Sequence, residues 1–209
     1  MQLLKKSVIA HRGVHDQGTL ENSLLAFERA MNSEADGLEI DVQLSNHRLV
    51  LKHDINEETT ADLPTFSDFL TLVQQADYQG LLLIELKGPQ GAQQLYQELM
   101  ARQLSNTVML QSFWEQPLRE WRALDKQVAI GYLRHYPNRK CWQLAKENII
   151  QQVNLDYRYL PLRIFIPWQI PTYWWTINRP TVTWLLMHLP VAGVITDNVV
   201  QAVKYKKRN

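Results

Sequence analysis

Gly37-Leu38-Glu39-Ile40-Asp41-Val42-Gln43-Leu44-Ser45-Asn46-His47-Arg48-Leu49-Val50-Leu51-Lys52-His53 holds two β-rich apolar runs, Gly37–Leu44 and Leu49–His53, with only Ser45–Arg48 between them. A parallel crossover needs about a dozen residues or more, so these two runs form an antiparallel hairpin. Outside this pair the pattern is regular. Strand-like runs at Ser7–Gly13, Gly80–Lys87, Thr107–Phe113, Val128–Leu133, Ile149–Leu155, Thr172–Asn178 and Val191–Thr196 are separated by stretches with helical periodicity. In Glu21–Asn32, for example, Leu24, Phe27 and Met31 share one helical face. With the hairpin return set aside, eight strands alternate with helices, and that count predicts an α/β fold: a (β/α)8 TIM-type barrel with a β-hairpin extension after the second strand. Pro161, Pro167 and Pro171 forbid a normal helix late in the chain, so one outer helix is expected to be missing or vestigial.

Composition agrees with one packed domain over residues 1–209. The chain is 45% hydrophobic and 21% charged, which excludes disordered and low-complexity classes. Its 22 Lys and Arg nearly balance 21 Asp and Glu for a net charge of +1, so no global field recruits nucleic acid or an anionic membrane. The single cysteine, Cys141, allows no intrachain disulfide and no cysteine-based zinc site. No apolar run approaches the roughly 18–20 residues of a membrane span and no signal-peptide pattern opens the chain, so the expectation is a cytoplasmic protein without stable membrane insertion. Oligomeric state is left open.

In such a barrel, function collects at the C-terminal ends of the strands. Those ends carry His11-Arg12-Gly13, Glu39-Ile40-Asp41, His53-Asp54 and Glu85-Leu86-Lys87. Glu39 and Asp41 are two apart, as are Glu85 and Lys87, so each pair points to one face of its strand. Converging on the barrel interior, three carboxylates would repel one another without a cation, and an all-oxygen set suits a hard ion, Mg²⁺ or Ca²⁺. Arg12 suits bidentate phosphate binding, Lys87 a point charge on another oxygen, and His11 and His53 a general acid–base pair flanking phosphorus. That chemistry is phosphodiester cleavage. The chain has neither Gly-x-x-x-x-Gly-Lys nor Gly-x-Gly-x-x-Gly, against a nucleotide cradle.

The motifs Ala10-His11-Arg12-Gly13, Glu21-Asn22-Ser23, Asp36-Gly37-Leu38-Glu39-Ile40-Asp41, His53-Asp54 and Ile84-Glu85-Leu86-Lys87 resemble the glycerophosphodiester phosphodiesterases of the phospholipase-C-like phosphodiesterase superfamily. The likeness continues through Gln111-Ser112-Phe113, Trp175-Thr176-Ile177-Asn178 and Gly193-Val194-Ile195-Thr196-Asp197. It implies His11 and His53 as catalytic residues and Glu39, Asp41 and Glu85 as metal ligands. Arg12 and Lys87 would bind phosphate, and Phe113 and Trp175 would line the substrate pocket. The implied substrate is a small glycerophosphodiester, cleaved to sn-glycerol 3-phosphate and an alcohol. Alternatives are a lysophospholipase D-type enzyme acting on lipids and a non-catalytic barrel binding a phosphoryl ligand or a protein.

The chain also departs from the family pattern. Leu20 replaces the usual proline before Glu21-Asn22, Glu57-Glu58 replace an arginine before Thr59-Thr60, and the stretch between Tyr157 and Trp175 lacks the family's helix and glycine. Residues 162–168 are expected to pack in place of that helix, with an exposed apolar lip as the alternative. His15, His47, His135 and His188 are expected on loops or helix ends without catalytic partners, and Cys141 as a packed thiol. Lys204, Lys206, Lys207 and Arg208 are expected in a solvated tail. For the hairpin, a three-residue loop Asn46-His47-Arg48 is expected, because it sets His53 across from Asp41, whereas a two-residue loop pairs His53 with Ile40 and turns it outward.

Overall fold

The computed structural model describes residues 6–54, 63–165 and 169–208. All nine anticipated strands are present: β1 (Ser7–Ala10), β2 (Gly37–Ser45), β3 (Arg48–Leu51), β4 (Leu81–Leu86), β5 (Val108–Ser112), β6 (Ala129–Arg134), β7 (Gln152–Asp156), β8 (Thr172–Trp175) and β9 (Gly193–Thr196). Eight run parallel in the order β1-β9-β8-β7-β6-β5-β4-β2, and pairing of β1 with β2 closes the barrel. Only β3 is antiparallel, bonded to β2 outside the ring. This is the TIM-type α/β barrel with its hairpin extension.

Helices α1 (Leu24–Met31), α2 (Phe66–Gln75), α3 (Ala92–Ala101), α4 (Glu115–Leu124), α5 (Arg139–Lys146), α6 (Pro180–His188) and α7 (Val199–Lys206) follow the strands. Local chemistry fixes their starts. Ser23 caps α1 by accepting the Ala26 N–H, Thr65 and Asp68 form a reciprocal capping box on α2, and Pro180 opens α6 where its missing N–H costs nothing. The main core lies between the sheet and these helices, around Phe27, Phe66, Phe69, Trp121 and Trp174. A smaller apolar layer inside the barrel, with Ile9, Leu83, Tyr173 and Ile195, floors the polar mouth. No helix among the described residues is long and apolar enough to cross a membrane.

Between β7 and β8 the outer helix is reduced to a 3₁₀ segment, Tyr157–Phe165, with Pro161 inside and a kink at Tyr159. The packed replacement expected there is not found. Ile164 is 72% and Phe165 58% exposed, while Arg163 is buried. A 3₁₀ turn broken by proline offers no continuous apolar face to the sheet, so Tyr157 and Leu160 pack against the core while Ile164 and Phe165 stay outside. Residues 166–168 lie outside the described residues, as do Glu57, Glu58, Thr59 and Thr60. Of the basic residues expected in a solvated tail, Lys204, Lys207 and Arg208 are exposed, with Lys207 paired to Glu34, whereas Lys206 is half-buried and pairs with Asp36; α7, which leads into them, buries Val199, Ala202 and Val203.

The hairpin register differs from the expected one. Val42 faces Leu51 and Ser45 faces Arg48, so the loop is the two-residue Asn46-His47, both with positive φ, as a type I′ turn requires. His53 nevertheless turns inward, because β3 stops at Leu51 and strand parity stops with it. After Lys52 N–H donates to the Asp41 carbonyl at 3.2 Å, the chain bends away, and the Gln43 amide donates to the carbonyls of Lys52 and His53.

Candidate active site

The β1–α1 connection builds one wall of the mouth. Arg12 and Asn22 both hold φ at +55°, a conformation costing a non-glycine residue about 1–2 kcal/mol, and Gly13 follows at +83°. This tight turn aims the Arg12 backbone N–H at Glu39 Oε2 (3.1 Å) and its guanidinium at Asp41 (2.9 Å) and Glu21 (2.9 Å). A Cβ on Gly13 would sit 2.6 Å from the Ala26 carbonyl carbon, so only glycine fits. Asn22 grips Asp41 twice: its amide donates to Oδ2 at 2.9 Å, and its carbonyl oxygen accepts the Asp41 N–H at 3.0 Å.

Ligand oxygens of Glu39, Asp41 and Glu85 lie within 4.8 Å of one another, and all three side chains are buried. Lys87 Nζ reaches Glu85 at 2.8 Å and Asp41 at 3.4 Å. Two cations thus face three carboxylates. Burial raises Glu39 well above the ordinary carboxylate range, and the charges of Asp41 and Glu85 add to the effect. Glu85 is pushed up to about 7 by burial and by Asp41. Burial would raise Asp41 too, but Lys87, Arg12 and the Asn22 hydrogen bond outweigh it and hold Asp41 below its usual value. Asp41 Oδ1 and Glu85 Oε1 accept no hydrogen bond of normal geometry, only the ion-pair contacts of Lys87. Two buried, under-satisfied carboxylate oxygens in an all-oxygen set fit a hard divalent cation.

His11 and His53 line the same cavity of about 270 Å³, with Arg12, Glu39, Glu85, Lys87, Phe113 and Trp175; Asp41 lies buried behind it. Each histidine has Nδ1 against a carboxylate. His11 Nδ1 is 2.7 Å from Asp197 Oδ1 and His53 Nδ1 is 2.7 Å from Asp54 Oδ2, which turns Nε2 of each ring away from its carboxylate; Nε2 of His11 lies 3.4 Å from the Thr176 hydroxyl, which also lines the cavity. Asp197 is held by the amide of Asn178, and although burial opposes it, the His11 hydrogen bond and charge draw its pKa down to about 2.

Two of the remaining histidines correct the expectation that they are bystanders. His15 Nε2 lies 3.3 Å from Asp197, and His135 lines the cavity between Phe113 and Trp175, with ring centroids 5.4 and 5.3 Å away. His47 sits in the hairpin turn and His188 ends α6, as expected. Cys141 is buried, and burial raises its thiol pKa. Asp197 stands at the end of β9 and obeyed the strand-end rule that exposed the other candidates. Asn22 lay in the Glu21-Asn22-Ser23 motif but off the strand ends, and a loop polar residue looks alike whether it faces solvent or a carboxylate, so its grip on Asp41 was not legible. Below the cavity, Gln152 donates to Asn154 and Asn154 to Gln111; Gly131 leaves the room, since a Cβ there would lie 2.9 Å from the Asn154 amide nitrogen.

A closed β/α barrel whose strand ends gather carboxylates, cations and imidazoles at one cavity is built as an enzyme. The glycerophosphoryl diester phosphodiesterase family matches residues 11–157, and the chain belongs to that family. A glycerophosphodiester phosphodiesterase of Caldanaerobacter subterraneus is 24% identical, over 93% of this chain and 95% of its own. Among solved structures, a glycerophosphodiester phosphodiesterase from Parabacteroides distasonis superposes with a TM-score of 0.83 at 21% identity, covering 98% of each chain. A phosphodiesterase from Oleispira antarctica, in complex with the product sn-glycerol-3-phosphate, gives 0.79 at 19% identity over 97% of each chain. These two structures share the fold.

Proposed function

We propose that this chain, acting as a single barrel domain in a reducing cytoplasm, hydrolyses glycerophosphodiesters to sn-glycerol 3-phosphate and an alcohol. The observation that carries the reading is the buried trio Glu39, Asp41 and Glu85, with two under-satisfied oxygens, beside two histidines on one cavity. These carboxylates would hold Mg²⁺ or Ca²⁺, which when bound neutralises phosphate charge and polarises a phosphoryl oxygen. Arg12 and Lys87 bind and orient the phosphate. One of His11 and His53 takes a proton from the attacking water as its oxygen bonds to phosphorus. The other gives a proton to the alcohol oxygen as its bond to phosphorus breaks. Phe113 and Trp175, 5.7 Å apart edge to face, would shape the wall against the substrate's carbon skeleton. The product held by the Oleispira relative supports this assignment of products.

The test is release of glycerol 3-phosphate from a panel of glycerophosphodiesters with and without chelator. Full turnover in metal-free buffer would refute the cation's role, and no release with any divalent cation would favour a binding protein. One observation favours a second substrate class, the lysophospholipids: Ile164 and Phe165 stand exposed, and a cavity of about 270 Å³ holds a headgroup while an acyl chain must leave it. Comparing turnover of glycerophosphocholine with lysophosphatidylcholine separates the two.

A further inference from the structure

Large apolar side chains exposed outside the α-helices are unevenly distributed among the described residues. Leu20, Trp114, Tyr136, Tyr159, Ile164 and Phe165 all follow the C-terminal ends of barrel strands, at the end where the cavity opens. The connections at the opposite end carry none.

On the β6–β7 side these residues join into one surface. The Tyr136 and Tyr159 rings lie 5.5 Å apart, and Trp142 Nε1 donates to the Phe165 carbonyl at 2.8 Å, tying segment 134–142 to segment 157–165. His135, next to Tyr136, lines the cavity, so the surface begins at the mouth. The two segments themselves supply only basic charge, although Arg163 is buried. The two segments contain Arg134, Arg139, Lys140, Arg158 and Arg163 and no Asp or Glu, in a chain whose net charge is only +1. Glu115 pairs with Lys140 and Asp156 with Arg158, while Arg139 has no ion-pair partner among the described residues.

We propose that this rim docks on the surface of a bilayer containing anionic phospholipid, with the cavity mouth turned toward the membrane plane. Tyrosine and tryptophan have apolar bodies and polar edges that suit the headgroup level, exposed Ile164 and Phe165 can enter the acyl boundary, and exposed Arg139 can meet a lipid phosphate. A second copy of the chain is a poorer occupant, because a symmetric contact would set these cations against their own equivalents. Docking does not depend on the proposed reaction, since it is read without turnover.

The experiment is co-sedimentation of the full chain with vesicles of phosphatidylglycerol and phosphatidylcholine in equal parts, against phosphatidylcholine alone. The protein should pellet with the anionic vesicles, and binding should fall on removing phosphatidylglycerol or raising salt. The double substitution Ile164→Ser, Phe165→Ser should weaken binding at least ~10-fold, the least expected from losing two buried apolar side chains. Its melting temperature and its turnover of soluble glycerophosphocholine should stay as in the parent. Arg139→Glu should weaken binding to the anionic vesicles. Failure to pellet, or pelleting indifferent to the double substitution, overturns the proposal. So does a concentration-dependent dimer in sedimentation velocity that the double substitution abolishes, which would give the surface to a second copy. Vesicle binding as expected without glycerophosphodiester hydrolysis would sink the catalytic reading and leave this one standing.

Discussion

Asp197 touches His11 at 2.7 Å and His15 at 3.3 Å and accepts a hydrogen bond from Asn178, so one carboxylate sets the orientation of the proposed catalytic imidazole. Its folded pKa of about 2, against an ordinary 3.8, means that it contributes stability in full above about pH 4 and loses it as pH falls toward 2. Thermal melts should therefore show wild type more stable than Asp197→Asn at pH 5, with the difference closing between pH 4 and 2. A constant difference across that range would contradict the depressed pKa. For the histidines themselves, His11→Ala and His53→Ala should each lower kcat by at least ~10²-fold with smaller effects on KM. Near wild-type turnover in the double variant would move the chemistry elsewhere.

The elements show where pairing rules stop applying. In the β2–β3 hairpin the type I′ turn at Asn46-His47 fixes the register, yet His53 reaches the cavity because it lies two residues beyond the last ladder pair, Val42–Leu51. Side-chain alternation constrains a residue only while its backbone is bonded into the sheet. Helix α7 makes the complementary point: Lys204, Lys207 and Arg208 lie exposed as expected, yet the helix that leads into this basic end carries Val199, Ala202 and Val203 on one face and docks. Val203→Ala should consequently cost about 1–2 kcal/mol in urea denaturation, as for other buried aliphatic truncations. A free tail would show no change.

At the scale of the whole molecule, the barrel gathers three acidic side chains that sit 46 positions apart in sequence at the extremes and holds them in a buried cluster. Their mutual repulsion means that a divalent cation bound there would stabilise the native state. Adding Mg²⁺ or Ca²⁺ at about a hundredfold excess over its Kd should raise Tm by about 5–10 °C. Glu39→Gln keeps the shape and can still accept the Arg12 N–H, so it should fold, lose most of this increase, and melt no lower than wild type without cation. An equal cation-induced rise in Glu39→Gln would assign the ion to other ligands.

Strand-end motifs and their spacing nominate six of the residues that line the cavity, His11, Arg12, Glu39, His53, Glu85 and Lys87, and Asp41 behind it, because period-two alternation and the C-terminal-end rule are local properties; Phe113 and Trp175 came only with the family resemblance. The count of eight parallel strands, the hairpin and the vestigial helix at Pro161 followed from connection length and proline chemistry, which are also local. Partnerships across the barrel were not legible: Asn22 with Asp41, His135 between Phe113 and Trp175, and the docking of α7 through Lys206 on Asp36. The sequence determined by itself which side chains each strand presents at the mouth. Tertiary structure alone decided which of them meet, how His53 turns in after leaving its ladder, and that Ile164 and Phe165 stay outside, because those outcomes depend on closure of the ring and on the space left by its neighbours.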